Sequence, residues 1–226
     1  MTKIWKKYKE AKKLVDRNKK YSIQEAVDLA IKSNYAKFNT SVDVNIKTFA
    51  DPKYNDQIVR ATTVLPHGTG KSVKIAAFVS DEMIEQAKKY GADIVWSADL
   101  LKKIEGGEIN FDILVTTTDM MKDLAKVAKT LGPKGLMPSP KAGTVTNDLE
   151  STITEIKKGR VEFKTDKTGN INVWVGKIKF KPEQLVENIS ALLTAIEQNK
   201  PTGVKGKLIK KMVISSTMGP GIQIDI

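Results

Sequence analysis

The chain has 226 residues, 40% of them hydrophobic, and 38 Lys+Arg against 26 Asp+Glu leave a net charge of +12. No cysteine is present, which excludes disulfides and thiolate chemistry and suits a reducing compartment. His67 is the one histidine, so neither a histidine-based zinc cluster nor a His–carboxylate relay away from that position can be assembled.

The opening stretch MTKIWKKYKEAKKLVDRNKK is basic and lacks the apolar core of a secretory signal. No apolar run nears the roughly 20 residues that span a bilayer, so the expectation is a soluble cytoplasmic protein without a membrane partner. Ser22-Ile23-Gln24-Glu25 is a capping box, opening a helix with Ile23, Ala26, Val27, Ala30 and Ile31 on one face. Residues 42–47 alternate apolar and polar, as in a half-buried strand, and residues 58–65 are expected to pair with them. Residues 73–79 read as a strand, followed by a helix over 81–90 capped by Ser80 and stopped by Gly91. A short strand over 92–96, a short helix carrying Leu100, Leu101 and Ile104, and a strand over 111–115 come next. Leu124, Val127, Ala128 and Leu131 mark another helix. The stretch 131–145 holds three prolines and three glycines, which predicts an ordered loop packed on this middle segment. Residues 161–163 and 171–175 flank Asp166-Lys167-Thr168-Gly169 as a hairpin would. Leu185, Ile189, Leu192, Leu193 and Ile196 form a helical stripe, and 212–214 open a final strand that ends in Ser215-Ser216-Thr217-Met218-Gly219-Pro220-Gly221.

Charge is sorted along the chain. Residues 67–159 carry 13 basic and 13 acidic side chains, while 1–66 and 160–226 carry 25 and 13, which is the whole +12. Alternating strands and helices in the middle imply parallel strands with helical crossovers. Each outer part is too small to bury much core alone. The expected class is therefore α/β with two domains. Residues 1–66 plus 160–226 make a split α+β domain from both termini, and 67–159 make an inserted, Rossmann-like three-layer domain. A basic module of this kind points to a polyanion, most often nucleic acid.

Two enzyme signatures are incomplete. PHGTGKS, residues 66–72, has Leu65 where a phosphate-binding loop needs its first glycine, and a strand rather than a helix follows it. No G-x-G-x-x-G joins the strand at 73–79 to its helix, so a nucleotide-dependent enzyme on the middle domain is the weaker alternative and no cofactor is expected. Pro66, His67, Gly68, Gly70 and Gly159 instead stand at the chain crossings, where glycines give backbone freedom, and read as a hinge.

LPHGTGK, KTLGPKGLMPSPKAGTV, the KKGRVEF–DKTG hairpin and the terminal SSTMGPG, in that order, resemble the bacterial ribosomal protein L-one family over essentially the whole chain. The resemblance implies a monomeric, non-enzymatic constituent of the large ribosomal subunit, bound to rRNA in the mobile stalk beside the tRNA exit site. It also implies contact with exit-site tRNA, help in releasing deacylated tRNA, and repression of the protein's own mRNA, which mimics the rRNA site. Carried over residue by residue, the RNA contacts would be Lys37, Phe38, Ser41 and Asp43, then Asp166, Lys167 and Thr168 in the hairpin, and Thr217, Met218 and Gly219. A lysine neutralises phosphate, Phe38 and Met218 offer apolar surface to sugar or base, and hydroxyls can read 2′-OH groups.

Overall fold

The computed structural model describes residues 6–96, 106 and 109–225; the short helix expected from Leu100, Leu101 and Ile104 lies outside them. In chain order the elements begin with α1 (Lys6–Lys13), α2 (Ile23–Lys32), β1 (Ser41–Thr48), β2 (Arg60–Val64), β3 (Ile75–Phe78), α3 (Ile84–Lys89) and β4 (Ile94–Trp96). They continue with β5 (Ile113–Thr116), α4 (Met121–Leu124), α5 (Ala128–Leu131), α6 (Leu149–Lys158), β6 (Arg160–Lys164), β7 (Asn170–Lys177), α7 (Pro182–Gln198), β8 (Ile209–Ser216) and β9 (Ile222–Ile224). The result is a mixed α/β protein whose backbone divides into two compact units, Met1–Gly70 with Gly159–Ile226, and Lys71–Lys158. All 13 basic and 13 acidic side chains of residues 67–159 fall within the second unit.

In the first unit an antiparallel sheet of order β7-β1-β8-β9 forms one side of the core. Strand periodicity sets its two faces. Val42, Val44 and Ile46 are buried, with Val173, Met212 and Ile214 beside them, whereas Ser41, Asp43, Asn45 and Lys47 keep solvent contact. The buried face meets α2 through Ala26, Val27 and Ala30, and α7 through Leu185, Ile189, Leu192 and Ile196. The capping box of α2 forms as read: Glu25 N–H donates to Ser22 Oγ at 3.3 Å, and Ser22 N–H to Glu25 Oε2 at 3.2 Å.

Two strand pairings differ from expectation. The segment 58–65 does not join β1, because β7 and β8 already occupy both of its edges. Instead β2 pairs with β6, Arg60 opposite Lys164 and Val64 opposite Arg160, and Arg60 Nε donates to Glu162 Oε1 at 2.6 Å. The tight turn at 166–169 is present, with Gly169 N–H donating to Asp166 O at 3.1 Å. Its arms then part, since β6 finds β2 and β7 finds β1. Beyond the strand expected at 212–214, the chain turns and adds β9 as the sheet's edge.

The second unit holds a parallel sheet of order β4-β3-β5. β3 is buried on both faces, which explains its unbroken apolar run. Ala76 and Phe78 pack with Leu114, Leu124, Val127 and Leu131; Ile75, Ala77 and Val79 pack with Ala87, Leu149, Ile153 and Ile156. The helix after β3 opens as a 3-10 turn, and Ser80 makes no side-chain cap bond. The helix expected through 124–131 is interrupted by a 3-10 turn at Ala125–Val127. Sequence reading missed α6, although Leu149, Thr152, Ile153 and Ile156 carry its buried face at helical spacing. The loop 131–145 is ordered: Leu136 and Met137 pack on the core, and Thr116 N–H donates to Thr144 O at 3.0 Å.

Candidate nucleic-acid interface

The residues named for RNA contact gather at two places, both in the first unit. At one, the start of β1 meets the end of β8. Thr217 N–H donates to Ser41 O at 3.0 Å, and Ser41 N–H donates to Thr217 Oγ1 at 3.1 Å. Lys177 Nζ donates to Ser41 Oγ at 2.8 Å. Tyr35, from the loop before β1, donates its hydroxyl to Met218 O at 2.8 Å. Among the described residues Met218 is the non-glycine residue held at positive φ, +68°, and it is 57% exposed. A Cβ added at Gly219 would lie 2.2 Å from Ser216 Oγ, so a side chain there requires that hydroxyl to move. Phe38, at 56% exposure, and Lys37 stand in solvent nearby in the chain. Phe38 is therefore a surface residue and not part of the core.

Asp43 sits one strand pleat further on, opposite Trp174 and Ser215. Burial raises its carboxyl above the usual range and outweighs the pull of Lys177 in the other direction.

The second place is the Asp166–Gly169 turn. Asp166 Oδ1 accepts from Thr168 N–H at 2.8 Å, Thr168 Oγ1 at 2.7 Å and Asn170 N–H at 2.8 Å. These bonds, the Asn170 backbone bond foremost, pull its carboxyl down to about 2. The carboxylate is thus occupied in building the turn, and Lys167 and Thr168 are the parts that face solvent. Thr48 Oγ1 donates to Gly169 O at 2.8 Å, so the turn docks on the far end of β1.

Ser41 and Thr48 are seven strand steps apart, about 23 Å at the usual rise. The named residues therefore make no single cluster. What joins the two ends is the open face of the sheet, which sequence reading did not single out. Asp43, Asn45 and Lys47 run down its centre, flanked by Trp174, Asn172 and Asn170 on β7 and by Ser215, Val213 and Lys211 on β8, in matched register. The alternation of Asn172 and Trp174 with buried Ile171, Val173 and Val175 was the available signal.

The crossing residues form a pinned corner of the first unit. Gly68 and Gly159 have φ of +67° and +102°, and a Cβ on Gly159 would lie 2.4 Å from Gly68 Cα. Gly70 also lies at positive φ, +69°, and Pro66 is exposed. Buried Asn188 on α7 accepts from His67 N–H at 3.1 Å and donates to Gly68 O at 3.0 Å and Val175 O at 2.8 Å. The His67 ring contacts the Glu187 carboxylate. Among the described residues no group of His, Asp and Glu is placed to hold a metal ion.

Residues 30–220 match the Ribosomal protein L1p/L10e family. The chain is 51% identical over 226 residues to large ribosomal subunit protein uL1 of Thermosipho melanesiensis, covering 100% of this chain and 97% of that one. It is 52% identical over the same span, with the same coverage, to that protein of Thermosipho africanus. It is 48% identical over 225 residues, covering 100% and 97%, to that of Kosmotoga olearia.

Proposed function

The chain belongs to the ribosomal protein L1p/L10e family, and from that premise we propose that it is a structural constituent of the large ribosomal subunit, held on rRNA by its terminal unit. The family is one of non-enzymatic ribosomal proteins, which removes the nucleotide-dependent enzyme reading. The observation that supports rRNA binding most is the coincidence of charge and surface. The unit that owns the whole +12 also carries the open sheet face, with exposed Phe38 and Met218 at one end and Lys167 at the other. Lysines there release counterions on meeting phosphate, while the aromatic and hydroxyl groups suit a folded RNA whose sugars and unpaired bases are accessible.

On this proposal the rRNA is the exit-site stalk, and the pivot of the crossing is Gly70, past the segment that Asn188 pins. Help in releasing deacylated tRNA and repression of the protein's own message complete the reading, and both rest on the family resemblance alone. A ribosomal constituent works in the bacterial cytoplasm, and no helix among the described residues is long and apolar enough to cross a membrane. Filter binding of the full chain to the stalk rRNA fragment and to duplex DNA at matched salt tests the proposal. Preference for the RNA is expected. Equal affinity for the two would reduce the interface to basic adhesion.

A further inference from the structure

A second feature lies beyond the Asp166–Gly169 turn. β1 ends at Thr48, whose backbone N–H also donates to Gly169 O at 3.0 Å, and the next residue, Phe49, stands 56% exposed. Phe49 walls an open cleft of about 660 Å³ shared with Gln57, Gly203, Val204, Lys205 and Lys207. That volume suits a nucleotide-sized ligand. Lys210 Nζ lies over the Phe49 ring, 5.5 Å from its centre. From Gln198 to Ile224 the sequence has no acidic residue but carries Lys200, Lys205, Lys207, Lys210 and Lys211. Lys200 Nζ donates to Gly206 O, which ties the lysine-bearing loop back on itself.

Lys205 and Lys207 line the cleft, and Asp56 approaches Gly203, another of its lining residues, so closely that an added Cβ would lie 2.6 Å from its carboxylate. The other acid of this loop, Asp51, has its carboxylate engaged by Lys53 N–H at 3.1 Å. Gln57 accepts the Asp51 N–H through Oε1 at 2.9 Å, which leaves its amide nitrogen as the donor. A phosphate is repelled by Asp56 and drawn to the lysines; a base edge, with donors and acceptors together, suits Gln57 and Asp56.

We propose that this cleft holds an unpaired nucleotide of the bound RNA, its base stacked on Phe49 and its flanking phosphates neutralised by Lys205 and Lys207. The proposal rests on the rRNA-binding reading above and adds an anchor outside the residues that the family resemblance named. RNA is favoured over a free nucleotide because the cleft is open and lies at the same end of β1 as the Asp166–Gly169 turn, on the β8 side, where Phe49 N–H donates to Leu208 O at 2.9 Å. An open site gains most from a ligand tethered by neighbouring contacts.

The test uses the full chain, the stalk rRNA fragment and a salt series, with thermal melts to show that each variant is folded. Phe49→Ala is expected to weaken binding about 5- to 150-fold with the salt slope unchanged, as for loss of one stacked base. Phe49→Trp should retain affinity, and its added fluorescence should be quenched by the RNA. The double variant Lys205→Ala, Lys207→Ala should lower the salt slope by about 1.4 to 1.8. Parent-like binding by Phe49→Ala, with an unquenched Trp at 49, would overturn the proposal while leaving the rRNA reading intact. Equal quenching by nucleoside monophosphates at millimolar concentration would overturn it in favour of a free-nucleotide pocket. A parent chain that does not prefer the stalk RNA to duplex DNA removes the functional reading, and this proposal with it.

Discussion

Met218 adopts a left-handed backbone, φ +68°, that an unbranched non-glycine side chain takes at a cost, and Tyr35 holds its carbonyl in place. Such strain, of order 1 kcal/mol, is characteristic of ligand-contacting positions. Met218→Gly should therefore raise Tm while weakening RNA binding, and Met218→Ala should weaken binding with little change in Tm. A Met218→Gly protein that melts lower than the parent would show that the side chain packs for stability. Thr217 has a structural part beside the RNA contact proposed for it. Its hydroxyl is bonded to the Ser41 backbone, so it clasps β8 to β1 before any RNA arrives. Asp43 makes a pH prediction. Burial raises its folded pKa above the ordinary 3.8, so the ionised form costs stability above the folded pKa, and the cost vanishes once pH falls below the unfolded value. Asp43→Asn should melt above the parent at neutral pH, and the gap should close as pH falls below about 4. A gap that widens in acid would mean that attraction to Lys177 outweighs burial.

At the scale of elements, much was legible where the signal is local and little where it is not. The Ser22–Glu25 box and the alternation at 42–47 each follow from neighbouring residues, and both formed. The partner of β2 did not, because strand pairing is decided by which edges remain open: β1 is enclosed on both sides, and Arg60, Thr62 and Val64 find β6 a hundred residues away. The same non-local choice spread the candidate contacts. Lys37 to Asp43 and Thr217 to Gly219 converge at one end of β1, but the turn at 166–169 docks at the other. The glycines at the crossing showed in sequence as freedom; in the fold Gly68 and Gly159 are a close backbone contact. Gly159→Ala should consequently destabilise the protein by about 3 kcal/mol or more, since φ of +102° and a 2.4 Å approach to Gly68 Cα must both be relieved. Gly206→Ala, where an added Cβ meets nothing within 4 Å, is the control for left-handed backbone alone. Equal denaturation midpoints for the two variants would refute the close-contact account.

Across the whole molecule, the division of charge coincides with the division of the backbone. The second unit, Lys71–Lys158, carries 13 positive and 13 negative side chains and buries its own two apolar clusters on either side of β3. The first unit carries the remaining 25 positive and 13 negative side chains and a sheet with one face open. Counterion release follows the lysines that touch phosphate, and a unit without net charge has little to release. RNA affinity should therefore reside in the first unit. The most direct measurement compares three proteins on the stalk rRNA fragment across a salt series: the full chain, Met1–Gly70 joined by a short linker to Gly159–Ile226, and Lys71–Lys158 alone. The account predicts that the joined terminal unit keeps most of the affinity and nearly the full salt slope, while the inserted unit binds feebly. Comparable binding by the inserted unit, or a folded terminal unit that has lost its affinity, would contradict it.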